Sequence, residues 1–309
     1  MTQIIYTVQP GDTLYIISLL FGVSTQSILA LNNINNPSLI YPGLKIVMPK
    51  EAVNPFQPIE PGLVRYTVLP GDTVYKIARR FGTTVISILN ANPGLDPYGL
   101  MPGMIINITI PENATAIYKG SPKNMIALTF DATYGDNQTY KLLQILKDYN
   151  IKATFFLSGI WMLNYPQLVR AIASEGHEIG NHSYTHPHMT QMSLAEVNNQ
   201  IMRTDALIRN ITGLSPYLFR PPYGEYNQAI LNNLSSLGYI TILWTIDSLD
   251  WKAPGTDQII SRVANNIEPG AIVLLHQSAA QTAEALREII SRLKDMGYDF
   301  GTVTQVIDP

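Results

Sequence analysis

Two stretches of the chain align without a gap at an offset of 60 residues: YTVQPGDTLYIISLLFGVSTQSILALN (6–32) and YTVLPGDTVYKIARRFGTTVISILNAN (66–92). The shared positions include Tyr6/Tyr66, Pro10/Pro70, Gly11/Gly71, Asp12/Asp72, Thr13/Thr73, Phe21/Phe81, Ile28/Ile88, Leu29/Leu89 and Asn32/Asn92. A repeat at fixed spacing means one small unit folded twice, so any account of one copy must hold for the other. "YTV" predicts a short strand, and Pro-Gly a turn, with Asp or Thr after it as a helix N-cap. Apolar residues at helical spacing then run to Gly22 and Gly82, where glycine ends the helix. A second short helix is expected over 24–31 and 84–91, and strands over "LKIVMP" (44–49) and "MIINITIP" (104–111). The order is βααβ, a unit with a thin core. "KEAVNPFQPIEPGL" (50–63) reads as a Pro-rich, semi-rigid spacer, and "ENATAIYKGSPK" (112–123) as a shorter joint.

These two segments resemble LysM modules, which bind chains of N-acetylglucosamine as found in peptidoglycan and chitin. The resemblance rests on the Y-x-V-x-x-G-D-T-x-x-x-I opening and on the closing segments "IYPGLKIVMP" and "LMPGMIINITIP". It implies glycan contact from Gly11, Asp12 and Thr13, from Gly71, Asp72 and Thr73, and from the loops 33–41 and 93–101. Plain helix capping is the competing reading of the two aspartates. Two tandem weak sites would gain from effective concentration.

From Asn124 onward, strand-like and helix-like segments alternate. "MIALTF", "KATFFL", "HEIGN", "YLFR", "YITILWTI" and "AIVLLH" read as strands, with helices expected over 136–149, 165–175, 193–211, 227–237, 256–266 and 279–296; "TVTQVI" is expected to close the sheet. Such alternation predicts an α/β fold, a parallel sheet or barrel with helices outside, whose active site lies at the C-terminal strand ends. Those ends carry Asp131, the run "NHSYTH" (181–186), "RPPYG" (220–224), "DSLDW" (247–251) and His276. A carboxylate at the end of a buried strand is costly unless it is paired or working. His182 and His186 are four apart, so one local turn can offer both imidazoles to a metal.

In this order the motifs resemble the polysaccharide deacetylases, the NodB-homology domains of carbohydrate esterase family 4, over about 124–305. "TFDA" stands where that family has Thr-Phe-Asp-Asp. "HSYTH" fits its His-Ser/Thr-x-x-His, "RPPYG" its Arg-x-Pro-x-Gly, "DSLDW" its Asp-x-x-Asp-Trp and "LLH" (274–276) its Leu-x-His. The resemblance implies a distorted (β/α) barrel that removes acetyl groups from N-acetyl sugars with a divalent metal, zinc being expected. It further implies His182 and His186 as ligands, Asp131 as general base, and His276 as general acid. Arg220 would hold Asp131, and Asp247 would orient and charge His276. The Tyr223 N–H would serve the oxyanion, and Trp251, Leu274 and Pro222 would wall the substrate pocket.

The chain departs from the family at Ala132, where the usual third metal ligand is an aspartate. Three outcomes are open: water completes the coordination, Asp136 swings in through "TYGD", or the metal is lost and the domain only binds sugar.

Composition agrees with a neutral glycan partner. Charged residues are 14% of the chain, net charge is −3, and Lys+Arg number 20, which argues against nucleic acid and against a polybasic membrane anchor. There is no cysteine, hence no thiolate site and no disulfide. No apolar run reaches the ~18 residues of a membrane span, and the N-terminus does not read as a secretory signal. The expected organisation is a LysM module at 1–50, a linker at 51–64, a second module at 65–111, a linker at 112–123 and the deacetylase domain at 124–309. The expected place is the cell wall or spore envelope, and the expected task N-deacetylation of peptidoglycan or a chitin-type polymer. The alternative is a catalytically impaired glycan-binding protein.

Overall fold

A computed structural model describes residues 3–34, 36–52, 62–121, 123–136 and 138–308. The Pro-rich spacer falls largely on 53–61, outside the described residues.

The first repeat folds as β1 (Ile5–Thr7), α1 (Leu14–Phe21), α2 (Thr25–Asn32) and β2 (Lys45–Val47), and the second as β3 (Leu63–Thr67), α3 (Val74–Arg80), α4 (Val85–Ala91) and β4 (Ile105–Thr109). Each strand pair is antiparallel. The shared residues now have physical roles. The Asp12 carboxylate accepts from Tyr6 Oη and from the Gln9 N–H, both at 2.6 Å. Asp72 repeats this with Tyr66 Oη at 2.6 Å and the Leu69 N–H at 2.8 Å. The helix caps are instead Thr13 and Thr73, whose Oγ1 atoms accept from the Ile16 and Lys76 N–H groups, each at 3.1 Å. The Asp side chains therefore close the turn, and the threonines start the helix. Asn32 and Asn92 tie the second helix to the last strand by exchanging amide bonds with Val47 and Asn107.

The remainder alternates as expected: β5 (Met125–Ala132), α5 (Thr139–Asp148), β6 (Thr154–Leu157), α6 (Gly159–Asn164), α7 (Pro166–Ser174), β7 (Glu178–Asn181), α8 (Leu194–Thr212), β8 (Leu218–Phe219), α9 (Gln228–Ser236), β9 (Ile240–Thr241), β10 (Ile246–Asp247), α10 (Thr256–Ala264), β11 (Ile272–His276), α11 (Thr282–Asp295), β12 (Asp299–Gly301) and α12 (Val303–Ile307). Eight strands form one curled sheet in the order β10-β11-β5-β6-β7-β8-β9, with β12 also on β5. All pairings are parallel. The fold is a half-barrel with helices outside. The inner strands are buried almost without interruption, as parallel strands covered on both faces must be.

Two expectations need correction. "TVTQVI" is a helix, because Thr302 and Gln305 form a reciprocal capping box that its β-branched pattern hides. The strand there is the preceding β12, which pairs with β5 alone, off the main order of the sheet. The expected long strand over 239–246 is split into β9 and β10. Arg220 donates to the carbonyls of Ile242 and Leu243 there, taking both out of a continuous ladder.

The two repeats meet the barrel differently. The core of the first (Tyr6, Leu14, Ile17, Phe21, Ile28, Ile46) runs without a break into the barrel core, whereas that of the second (Val74, Ile77, Phe81, Ile88, Ile106, Ile108) is separate. The second repeat attaches by polar contacts: Arg79 donates to Ile307 O at 2.8 Å and Arg80 to Gly238 O at 2.8 Å.

Candidate active site

β5 delivers Asp131 and β11 delivers His276 in direct register, so base and acid candidates lie side by side on neighbouring strands. Asp131 is buried, and its Oδ1 accepts from Arg220 Nη1 at 2.8 Å. Arg220 is fully buried, donates also to Thr129 Oγ1 at 2.8 Å, and stacks its guanidinium 4.1 Å from the Phe156 ring centre. Burial works to raise the Asp131 pKa. The Arg220 charge, with His182 and His276 behind it, outweighs that and holds the carboxyl below its usual range.

His276 carries the opposite bias. Burial pulls its pKa down, but the Asp250 bond and charge, aided by Asp131 and Asp247, raise it above the ordinary value. Asp250 grips the residue twice, accepting from Nδ1 and from the backbone N–H, both at 2.7 Å. Its Oδ2 also takes the Thr282 hydroxyl at 2.5 Å. This corrects the expectation for Asp247, which adds charge at a distance while its own carboxylate accepts from the Leu249 N–H at 2.8 Å. Both acids of "DSLDW" fit the motif, and only the fold shows which one faces the imidazole.

His182 and His186 follow β7, with ring centres 4.9 Å apart. His182 Nδ1 lies 2.8 Å from the Arg220 carbonyl oxygen, which can only accept; the proton is on Nδ1 and the Nε2 lone pair is free. That lone pair faces Asp131 Oδ2 at 3.4 Å. Burial lowers the pKa of His182, and burial first, with the His182 ring close by, brings His186 down to about 4, so both rings favour the neutral form. A bare lone pair facing an ionised carboxylate is an arrangement that a cation relieves. His186 Nδ1 is also buried with no hydrogen-bond partner among the described residues. The donor set thus fits a divalent cation held by two imidazoles.

It does not extend to three ligands: among the described residues no group of three or more His, Cys, Asp or Glu side chains is arranged to hold a metal. Ala132 is fully buried and offers no donor atom. Asp136 is exposed. The loop before it is pinned by Trp161 Nε1 on Gly135 O at 2.6 Å, and by Gln277 Nε2 on the carbonyls of Tyr134 and Gly135 at 3.0 and 2.7 Å. Of the three open outcomes, the one in which Asp136 swings in therefore has no support in this arrangement.

Around this centre, Tyr223 adopts a left-handed φ of 59° and stacks on His188 with ring centres 4.2 Å apart. Pro222 is buried beneath it. Trp251 is exposed, with the Lys252 ammonium over its ring, and Leu274 is buried within β11. Thr129, Gln277, Thr282 and Asp250 have roles here that the motifs do not assign. They are buried polar side chains that each hold a neighbour in place, which no spacing rule announces.

Of the six LysM positions expected to touch glycan, those of the second repeat are open. Gly71 and Asp72 line a cavity of 540 Å³ with Tyr75, Leu214 and Tyr217. In the first repeat Gly11 and Thr13 are exposed as well, but the Asp12 side chain is fully buried and pairs with Arg203 Nη2 at 3.0 Å, and Gly11 abuts Tyr184.

Acids, imidazoles and a buried arginine at the C-terminal ends of parallel strands define an α/β domain of hydrolase type. The chain belongs to the polysaccharide deacetylase family and carries two LysM domains ahead of it: the polysaccharide deacetylase profile matches residues 118–242 and the LysM domain profile residues 6–49 and 66–109. It is 37% identical over 185 residues to a peptidoglycan-N-acetylglucosamine deacetylase of Bacillus cereus, a match covering 59% of this chain and 67% of that protein. It is 39% identical over 193 residues to the uncharacterized protein YlxY of Bacillus subtilis, covering 62% of this chain and 60% of that one. Less than two thirds of that relative's length is therefore represented. Among solved structures, BA3943 of Bacillus anthracis, described as a pseudoenzyme of carbohydrate esterase family 4, superposes with a TM-score of 0.62 at 33% identity, covering 72% of this chain and 82% of that one. A mutant of that pseudoenzyme with restored enzymatic activity superposes with the same TM-score of 0.62.

Proposed function

We propose that this chain removes N-acetyl groups from a cell-wall glycan, peptidoglycan in preference to chitin-type polymers, and that it acts in the cell wall or spore envelope. The observation that carries this reading is the register pairing of Asp131 with His276, two groups whose environments push their pKa values in opposite directions. The carboxylate is held in its ionised form and the imidazole is biased toward its protonated form. Asp131 takes a proton from the attacking water as its oxygen bonds to the acetyl carbonyl carbon. His276 gives its proton to the amide nitrogen as the C–N bond breaks, leaving acetate and a free amine. Arg220 keeps Asp131 ionised and fixed, and Asp250 fixes the His276 tautomer. The exposed Tyr223 turn offers its N–H to the oxyanion, and Trp251, Pro222 and Leu274 wall the acetyl side. A zinc-like ion held by His182 and His186 would lower the water's pKa and polarise the carbonyl.

Wall attachment is assigned to the second LysM repeat, whose Gly71–Asp72–Thr73 turn is open. The test is acetate release from intact peptidoglycan and from N-acetylchitooligosaccharides, by the wild-type chain and by His276→Ala. Faster release from peptidoglycan, lost in the variant, supports the reading.

A second reading has one specific observation behind it: the buried methyl of Ala132 where a carboxylate ligand is expected. On that reading the chain is a glycan-gripping protein with an incomplete hydrolytic site. It would sediment with insoluble wall polymer and release no acetate at any zinc concentration.

A further inference from the structure

Tyr184 stands midway between the two imidazoles in sequence, in a loop with unusual backbone strain: Ser183 and His186 both have positive φ, at 64° and 58°. Strain of this kind persists only where the surroundings over-determine it. Three elements do so here. From α8, Gln200 Oε1 accepts from the N–H groups of Tyr184 and Thr185 at 2.9 and 2.8 Å. From the start of α6, Gly159 and Ile160 donate to the carbonyls of Ser183 and Tyr184. The third element comes from the first LysM repeat. Tyr184 Oη donates to Pro10 O at 3.2 Å, and Arg203 Nη2 donates to the same carbonyl at 2.6 Å. The Arg203 guanidinium lies 3.7 Å from the Tyr184 ring centre and pairs with Asp12 at 3.0 Å. The tyrosine is enclosed between an arginine of the barrel and a turn of the repeat.

The second repeat keeps the same Pro-Gly-Asp turn and makes no such contact. A Cβ placed on Gly11 would lie 2.3 Å from Tyr184 Oη and 2.6 Å from Leu163 Cδ1, whereas on Gly71 it would meet nothing within 4 Å. Both glycines have nearly the same φ, +82° and +84°.

We infer that the Pro10–Gly11–Asp12 turn of the first LysM repeat is a clamp on the His182–His186 loop. This repeat is a built-in part of the catalytic domain, its Pro10 carbonyl and Asp12 side chain engaged in positioning two imidazoles. Arg203 and Tyr184 are the positioning residues that transmit the clamp. Only the metal arm of the test below rests on the function proposed above.

The matched pair of glycines supplies the experiment. In the full chain, Gly11→Ala and Gly71→Ala impose the same backbone strain on equivalent turns, and only the first collides with Tyr184. Amide hydrogen exchange of Tyr184 and Thr185 is expected to accelerate about tenfold in Gly11→Ala and to stay at the wild-type rate in Gly71→Ala. Zinc affinity, measured by calorimetry with the metal alone, is expected to weaken about tenfold in the first variant only, as when a support of a metal ligand is lost. Should Gly11→Ala unfold its own repeat, seen as lost protection at Ile28, then Arg203→Met decides, because it leaves the Tyr6 and Gln9 bonds to Asp12 in place. Unchanged exchange at Tyr184 and Thr185 in Arg203→Met overturns the clamp, as does equal acceleration by both glycine variants. A wild-type chain that takes up no zinc overturns the metal assignment, and the exchange rates alone then judge the clamp.

Discussion

Two halves of the strand-end site differ in how completely they are held. On the acid–base side every charge has protein partners: Asp131 has Arg220, Arg220 has Thr129 and two carbonyls, His276 has Asp250, and Asp250 has Thr282. On the imidazole side His182 turns a bare nitrogen toward a carboxylate, His186 leaves a buried nitrogen unpartnered among the described residues, and Ala132 adds only a methyl group. A fully satisfied polar network is rigid without help; a partly satisfied one waits for something to complete it. The proton-handling machinery is therefore independent of any ligand, and the imidazole pair is not.

The sharpest way to break this contrast is to remove a member of the satisfied half. Asp131→Asn should lower acetate release by about 10²–10⁴, the range for losing a general base, in an assay against intact peptidoglycan. Arg220→Met should lower the unfolding free energy by about 3–5 kcal/mol, since it strands a buried carboxylate; a loss under 1 kcal/mol in denaturant titration would mean the pair is not buried as described. On the other half, Ala132→Asp should make the two sides alike. It restores the carboxylate that the family resemblance puts at this position as third ligand, so zinc affinity should rise by at least about tenfold, or ~1.4 kcal/mol. Without metal the new charge is unpaired, so the midpoint of thermal unfolding should fall in chelator and recover in zinc. A midpoint indifferent to zinc would show that the imidazole pair holds no ion even when the third ligand is supplied.

Much of this architecture is legible in the amino-acid sequence. The offset repeat implies βααβ twice, and the alternation from Asn124 implies a parallel sheet with reactive groups at its C-terminal edge. What is not legible is local and has physical reasons. "TVTQVI" carries both a strand pattern and a capping box, and the box prevails. Either acid of "DSLDW" suits an imidazole partner, and only the left-handed backbone at Leu249 turns Asp250 toward it. The contact between the first repeat's turn and the barrel is hidden because its sequence is nearly that of the second. The difference lies in Arg203 and Tyr184, far along the chain, and a long-range salt bridge leaves no trace in local spacing.

Asp250→Asn and Asp247→Asn sharpen the contrast at lower amplitude. Asp250 both hydrogen-bonds and charges His276, so its loss should bring the alkaline limb of the rate profile down toward the ordinary imidazole value of about 6.5. Asp247→Asn, which removes only a distant charge, should move that limb little. Equal shifts in the two variants would return the orienting role to Asp247.

The smallest effect separates imidazoles that await a cation from one that does not. His177 is buried beside Phe155 and accepts from the Ala153 N–H at 3.1 Å; burial, with Lys152 nearby, brings its pKa down to about 4. His186 is lowered to about 4 as well, by burial and His182. For a group whose folded pKa lies below its unfolded value, the unfolded chain binds more protons in between. Stability is then full above about 6.5 and falls as pH drops toward 4, by up to ~1.4 kcal/mol per pH unit for each ring. Denaturant midpoints across that window should show the decline in metal-free protein, and His177→Phe should reduce its slope by one proton. Zinc should steepen the decline in wild type and His177→Phe alike, because protons must then displace metal from His186, while the share due to His177 stays the same with or without the ion. A slope unmoved by zinc in both proteins would place His186 with His177, as an imidazole buried for packing alone.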